Sequence, residues 1–455
     1  MLVLGLTTTN THLINLHPGQ FNSKGNRDLR IIPRNQFLAL RIILKSDQNH
    51  NQVTTMTSQS TTSTPPSQIQ IQKHILILGA GISALQTALT LLTSPSTKHH
   101  KVTLVAQHIP GDQSPAYTSP WAGGHWRSHA TSAEGDERLR SWDARTYEAW
   151  CELLESGDGE VEGESMGERE RRMGIGFRPS VNFWGRECEE TVEGGRGLWW
   201  REGVVRGFEV LPLSQFPVRK GPGQEGSELV FGVGYKTICF NPSTYLLYLF
   251  NRIQSLGATV IKSPLDNKNG LKGIITAAKL LLKEKELQDL DILINCAGLS
   301  ARHFLPAEEA HNLFPIRGQT ILVKGDAAKA HTITNLRDVS TDEVLYIIPR
   351  PGTGTTILGG YKQAGNFDEG VDEELSRRIL ERARDWGVAE ELRGVEGGFE
   401  VLIGFRPGRK GGPRVEVEEW VEAVRLVHCY GHAGAGYQNS VGCAEEVRGL
   451  IEGLE

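Results

Sequence analysis

The 455-residue chain has no Cys-x-x-Cys pair; its six cysteines, at 151, 188, 239, 296, 429 and 443, are scattered. That excludes a zinc ribbon and a dense disulfide scaffold, and it suits a reducing compartment. Positive charge is not in excess either. Lys and Arg number 49 against 54 Asp and Glu, a net charge of −5, which argues against a general nucleic-acid binder. Long apolar runs are scarce. The most apolar uncharged stretch, Ile75 to Leu92, is broken by Gly79-Ala80-Gly81 and reads as strand, turn and helix rather than a membrane span. No acid/base pair at a catalytic spacing stands out. Glycine, by contrast, is plentiful at 52 residues, and much of it sits in short motifs.

Residues 1–72 differ from the rest. They are rich in Asn, Thr, Gln and Ser, and the stretch from Met56 to Ser67 is of low complexity. They read as an unstructured extension, with Met56 as an alternative start. Arg27, Arg30, Arg34 and Arg41 with few acids keep a transit peptide as the other reading. From there an α/β pattern begins. A strand is expected at His74–Leu78, a glycine turn at Gly79–Ser83, a helix at Ala84–Leu92 and a second strand at Val102–Ala106. A helix is expected over 131–150. The Glu/Arg/Gly run at 152–172 reads as a solvated loop or insertion. Strands are expected within Phe177–Val233, at Val260–Ile261, Leu290–Asn295, Gln319–Lys324, Val344–Pro349, Thr355–Gly360, Val401–Arg406 and Leu426–Tyr430. The strand ending at Arg406 should lead into an Arg/Gly/Pro loop. Helices are expected at Asn241–Leu256 with Asn241 as its cap and Pro242 in the first turn, at Glu373–Trp386, and from Gly442 to Gly449.

Gly79-x-Gly81-x-x-Ala84 stands between a strand and a helix. Gly79 permits the tight turn, Gly81 lets backbone approach a pyrophosphate, and the helix N-terminus offers N–H groups to phosphate. The second strand should end in an acid that holds a ribose; here Ala106-Gln107-His108 follows, with Gln107 or Asp112 as substitutes. Further clusters follow in order. They are Ser119-Pro120-Trp121-Ala122-Gly123-Gly124-His125-Trp126, Asn295-Cys296-Ala297-Gly298 and Tyr346-Ile347-Ile348-Pro349 before Leu358-Gly359-Gly360. Next come Gly404-Phe405-Arg406-Pro407-Gly408-Arg409 and Gly412-Pro413-Arg414-Val415-Glu416, then His428-Cys429-Tyr430-Gly431-His432-Ala433-Gly434-Ala435-Gly436-Tyr437 before Gly442-Cys443-Ala444.

In this order, over residues 74 to 450, the clusters resemble the D-amino-acid oxidase family, and its fungal members most. The resemblance implies an α/β fold in which a Rossmann-like FAD-binding domain is interleaved with a mixed β-sheet substrate-binding domain. The FAD-binding parts are then 73–150, 236–312 and 406–455. The substrate-domain parts are 151–235, with an acidic insertion at 152–175, and 313–405. The implied reaction is hydride transfer from the α-carbon of a D-amino acid to flavin N5. The imine hydrolyses to a 2-oxo acid and ammonia, and O2 reoxidises the flavin to give hydrogen peroxide.

The resemblance assigns the substrate carboxylate to Arg406 and Tyr346 and the substrate amine to the backbone carbonyl of Gly434, with no side chain acting as acid or base. A planar guanidinium suits the first role because it makes two charge-assisted bonds in a fixed orientation. The implied FAD contacts are Gly79, Gly81, Ile82, Ser83, Ala122, Gly123, Gly124, Leu265, Ala297, Gly434, Ala435, Gly436, Tyr437 and Gln438. No metal is implied. Where vertebrate members carry a lid tyrosine, this chain has Asp342. His432 reads as a turn histidine rather than a catalyst. The alternatives are a D-aspartate oxidase, with Arg350 and His125 as the extra cations, a glycine- or sarcosine-type amine oxidase, and an inactive FAD-binding protein. The resemblance implies a peroxisomal enzyme, but the final Glu452-Gly453-Leu454-Glu455 is not a Ser-Lys-Leu-like signal, and the cytoplasm is the alternative. A homodimer is one option for the assembly.

Overall fold

The computed structural model describes residues 71–220, 227–337, 340, 342–387, 392 and 398–454. The chain divides into Met1–Ser67 and Gln68–Glu455. All described residues belong to the second unit, and the reading of the N-terminal extension lies outside them up to residue 70.

Two sheets organise the second unit. The first has six strands, with His74–Leu78 at its centre and buried at every position. Continuous burial is what a parallel strand covered on both faces requires, and the Ile-Leu-Ile-Leu run supplies it. Lys101–Ala106 pairs parallel on one side and Ile292–Asn295 on the other. Thr259–Lys262 extends the sheet beyond the former, and Val424–Tyr430 beyond the latter. The antiparallel strand Arg414–Val421 closes that edge. The helices Ile82–Thr93, Pro242–Ser255 and Ser440–Glu452 pack together, and Leu85, Ala88, Leu249 and Val447 share one core with the sheet. The parallel strands end along one edge, where such sheets open a ligand crevice.

The second sheet has nine strands and is mixed. Its long strand Leu313–Lys324 pairs antiparallel with Phe399–Arg409 along all eleven residues of the latter, which sets Arg406 opposite Ile316 and Gly404 opposite Gly318. In Glu343–Arg350, Tyr346 lies opposite Gly359 on one side and Thr332 on the other. The chain alternates between the sheets. It serves the first with 74–106, the second with 175–240, the first with 259–295, the second with 313–409, and the first again from Arg414. Among the described residues, no helix is long and apolar enough to cross a membrane.

Three local expectations need correction. The acidic run is not simply a solvated loop. The helix Glu137–Ser156 enters it, and Met166–Met173 forms a further helix opened by a Ser165/Glu168 capping box. Arg172 also gathers Asp158 at 2.9 Å and Glu164 at 2.7 Å, so these charges are partnered rather than free. Asn241 does not cap its helix through its side chain; its Nδ2 donates to Thr244 Oγ1 at 2.7 Å. The strand through Arg406 does not stop there but runs to Arg409, because Leu313–Lys324 offers a full-length partner. The helix Gly270–Glu284 and the strands Ala330–Thr334 and Arg414–Val421 were not anticipated.

Candidate active site

A cavity of about 680 Å³ opens at the edge where the parallel strands end and runs to the second sheet. One end is built from backbone. Gly79 follows the central strand with φ 113°, and a Cβ there would come 2.7 Å from the carbonyl oxygen of Cys296. Only glycine fits both the dihedral and the space. Gly81 ends the turn and, as the N-cap, has no side chain of its own to cap the helix that follows. The Ile82 N–H donates to Ser119 Oγ at 3.0 Å, and Gly81, Ile82 and Ser83 line the cavity beside the helix's positive end. Gly124, at φ 96°, packs so closely on the Phe240 carbonyl that any Cβ would overlap it. Leu265 and Ala297 add apolar surface. The Tyr437 hydroxyl donates to the Ser119 carbonyl at 2.9 Å, and its ring stacks on Phe240 with centroids 4.6 Å apart.

The other end is built from side chains. Arg406 lies over Gly318, where any Cβ would collide with its guanidinium, and its Nη1 donates to the Tyr361 carbonyl at 3.4 Å. Tyr346 stands over Gly359 and Gly360 in the same way. Burial raises the Tyr346 pKa and the neighbouring Arg406 opposes the rise, so the phenol stays protonated and can donate. Gly434 meets both walls. A Cβ there would be 3.3 Å from His129 Cε1 and 3.6 Å from Arg406 Cδ.

Arg127, His125, His129 and Lys362 complete this end. His129 faces the cavity, and burial followed by the charges of Lys362, Arg127 and Arg406 holds its pKa well below the ordinary value. Burial and Arg127 bring His125 to about 3. Both imidazoles are neutral at pH 7. Lys362 lines the cavity and keeps an exposed side chain. Burial, then Arg127 and Arg406, bring its pKa down to about 8, against a weaker opposing pull from Asp342.

Every substrate or FAD contact implied by the resemblance lines this cavity except Ala435, whose N–H turns back to the His432 carbonyl at 2.8 Å; Asp342 is not at the wall. Gln107 is at the wall; Asp112 is not, and it pairs with Lys262 at 2.8 Å instead. His432 packs on Cys443 Sγ at 3.7 Å and Cys429 Sγ at 3.9 Å. Arg350 is not among the lining residues. It is buried, its Nη2 donates to the Ala122 carbonyl at 3.2 Å, and burial brings its pKa down to about 10. It is therefore no candidate for a substrate side chain. Sequence reasoning missed Arg127, His129 and Lys362, although each stands within three residues of a quoted cluster. It also missed Asp143, a fully buried carboxyl that accepts from Ser128 Oγ at 2.6 Å, Gln438 Nε2 at 3.3 Å and Asn439 Nδ2 at 2.5 Å. Burial raises its pKa to about 7 despite these donors, and the group fixes the orientation of Gln438 at the cavity wall.

The chain belongs to the FAD dependent oxidoreductase family, which matches residues 74–450. Within that class it is an oxidoreductase of the D-amino-acid oxidase type. It is 32% identical to a D-amino-acid oxidase of Schizosaccharomyces pombe over 380 residues, covering 82% of this chain and 94% of that protein. It is 29% identical to a D-amino-acid oxidase of Fusarium vanettenii over 386 residues, covering 83% and 96%. The crystal structure of glycine oxidase from Bacillus cereus shares the fold, with a TM-score of 0.58 at 18% identity over 84% of this chain and 96% of that one. The cofactor is FAD, and the backbone end suits it. Glycines without Cβ atoms, a helix start with glycine at its N-cap and apolar flanks make a cradle for a pyrophosphate and two ring systems.

Proposed function

We propose that the protein oxidises D-amino acids with O2 as acceptor, giving a 2-oxo acid, ammonia and hydrogen peroxide after hydrolysis of the imine. The observation that carries this reading is the juxtaposition of Arg406, Tyr346 and Gly434 at the end of the cavity opposite the glycine cradle. FAD, when bound, supplies the two-electron acceptor for the substrate's α-hydrogen.

The protein's own part is binding and orientation. Arg406 pairs with the substrate carboxylate, and Tyr346 donates a further hydrogen bond to it. The Gly434 carbonyl accepts from the amine, which can approach because no side chain stands there. Together these three contacts fix the α-carbon in one orientation and convert a bimolecular encounter into a positioned one. The cations at this end disfavour an ammonium group, so the bound amine is held neutral, as loss of the α-hydrogen with its electron pair requires. His125 and His129 are uncharged and compete for neither role. We further propose that segments 73–150, 236–312 and 406–455 hold the cofactor and 151–235 and 313–405 form the substrate walls. A peroxisomal site of action, natural for a peroxide-releasing enzyme, belongs to the same proposal.

Peroxide release by FAD-loaded protein with D-alanine, D-valine, D-aspartate and L-alanine tests the reading. Peroxide from D-substrates and not from L-alanine is the expected result. Bound flavin with no peroxide from any of them would leave an FAD-binding protein without this reaction.

A further inference from the structure

The cavity has an unbalanced charge. Among the described residues that line it, Arg127, Lys362 and Arg406 are cationic and none is Asp or Glu. All three line the same cavity. Arg406 Nη1 bonds to the carbonyl of Tyr361, the residue immediately before Lys362. The charges of Arg127 and Arg406 both bear on Lys362, and all three bear on His129. Arg127 has one distant acid, Glu190 at 3.8 Å, and among the described residues no carboxylate pairs with Lys362.

A monocarboxylic amino acid would satisfy Arg406 and leave Arg127, apart from its distant Glu190, and Lys362, apart from the weak pull of Asp342, with no carboxylate inside the cavity. Like charges gathered on one cavity wall repel one another unless an anion pairs with them. The FAD pyrophosphate belongs at the Gly79–Gly81 turn, whereas this pair stands with Arg406 at the other end. Resting on the reading of Arg406 as the α-carboxylate clamp, we infer that Arg127 and Lys362 form a second anion subsite. It selects D-amino acids whose side chain carries a carboxylate. Lys362 supplies a compact point charge and Arg127 a planar fork, and the neutral His129 beside them can donate a hydrogen bond without adding charge.

The test compares near-isosteres that differ in charge. kcat/KM for D-aspartate should exceed that for D-asparagine by about 100-fold, the size expected for a desolvated charge pair made or left unmade. Lys362→Gln and Arg127→Gln should each shrink that ratio by at least tenfold, and Lys362→Glu should invert it. Calorimetric titration of the FAD-loaded protein with succinate and with succinamate reads the subsite without turnover. Succinate should bind tighter, and Lys362→Gln should remove the difference. Equal use of D-aspartate and D-asparagine overturns the second subsite and leaves the oxidase reading standing. Absence of any turnover, with succinate still preferred, overturns the oxidase reading and leaves the subsite. Variants that weaken FAD binding while the D-aspartate to D-asparagine ratio is unchanged would show that the pair serves the cofactor, and would overturn the inference.

Discussion

The two ends of the cavity are made in different ways. At the cofactor end, shape is set by backbone, and the key residues are glycines whose value lies in what they lack. Gly79, Gly81 and Gly124 each stand where a Cβ would come within 3 Å of a neighbouring oxygen. At the substrate end, glycine serves only as floor, with Gly318 under Arg406 and Gly359 and Gly360 under Tyr346, and side chains do the recognising. The first end is built from several short motifs, each local in sequence, and is nearly free of charge. The second is assembled from separate strands and carries three cations with no lining acid among the described residues. The difference follows from the ligands. A dinucleotide is long and needs close approach along its length, while an amino acid is small and needs a few strong, directed contacts.

Substitutions should separate the ends. The largest effect is expected for Arg406→Ala. It should lower kcat/KM for every D-amino acid about a thousandfold, within the range for losing one partner of a desolvated charge pair, while flavin absorbance of the purified protein is retained. Retained activity would remove the clamp from the account.

Gly81→Ala should act the opposite way. Its Cβ would come 2.9 Å from Ser119 Oγ and crowd the helix start. FAD affinity, read by titration of the apoprotein, should fall by about tenfold or more, roughly the worth of one backbone contact to charge, while kcat at saturating FAD stays within a few-fold. A collapse of kcat with FAD affinity intact would mean that the ends are not separable in this way.

The pH profile sharpens the contrast further. Lys362 has its pKa lowered to about 8 by burial, Arg127 and Arg406, with Asp342 opposing and the neighbouring His129 neutral throughout. It therefore carries its charge below that pH and loses it above. KM for D-aspartate should rise above pH 8 by up to about tenfold per unit relative to D-asparagine, whose α-amine titrates in parallel and serves as the control. A ratio constant from pH 7 to 10 would take Lys362 out of side-chain recognition. The smallest effect is expected for Tyr346→Phe. One neutral hydrogen bond to the substrate carboxylate is lost, and kcat/KM should fall about tenfold. A loss as large as that of Arg406→Ala would show the phenol to be more than an auxiliary donor.

What could be read before folding divides along the same line. The cofactor end was legible because its requirements are stereochemical and local. A strand, a glycine turn and a helix must be contiguous for Gly79 and Gly81 to work, and contiguous residues form a motif. The same holds for the 431–438 run, of which only Ala435 turns away from the cavity. Local chemistry also misled. The Glu/Arg run at 152–172 is charged enough to read as solvated, but Arg172 neutralises Asp158 and Glu164 and a helix forms beside them. Asp112 looked available as a ribose ligand until Lys262, brought alongside by strand pairing, claimed it.

By itself, then, the sequence determined the alternation of strands and helices and the glycine cradle, and its resemblance to a known family singled out Arg406 and Tyr346 as a pair worth testing. Periodicity, turn stereochemistry and motif order all act over short spans of chain. Tertiary structure alone decided which cations face the substrate. Arg350, one of two cations left open by the sequence, is buried on the Ala122 carbonyl, while Arg127 and Lys362, 235 positions apart, line one cavity with Arg406. Charge carries no short-range signature of its partners. Whether a lysine is a solvated surface group or one wall of an anion site depends on what the two sheets bring to it, and that is settled only when the strands pair.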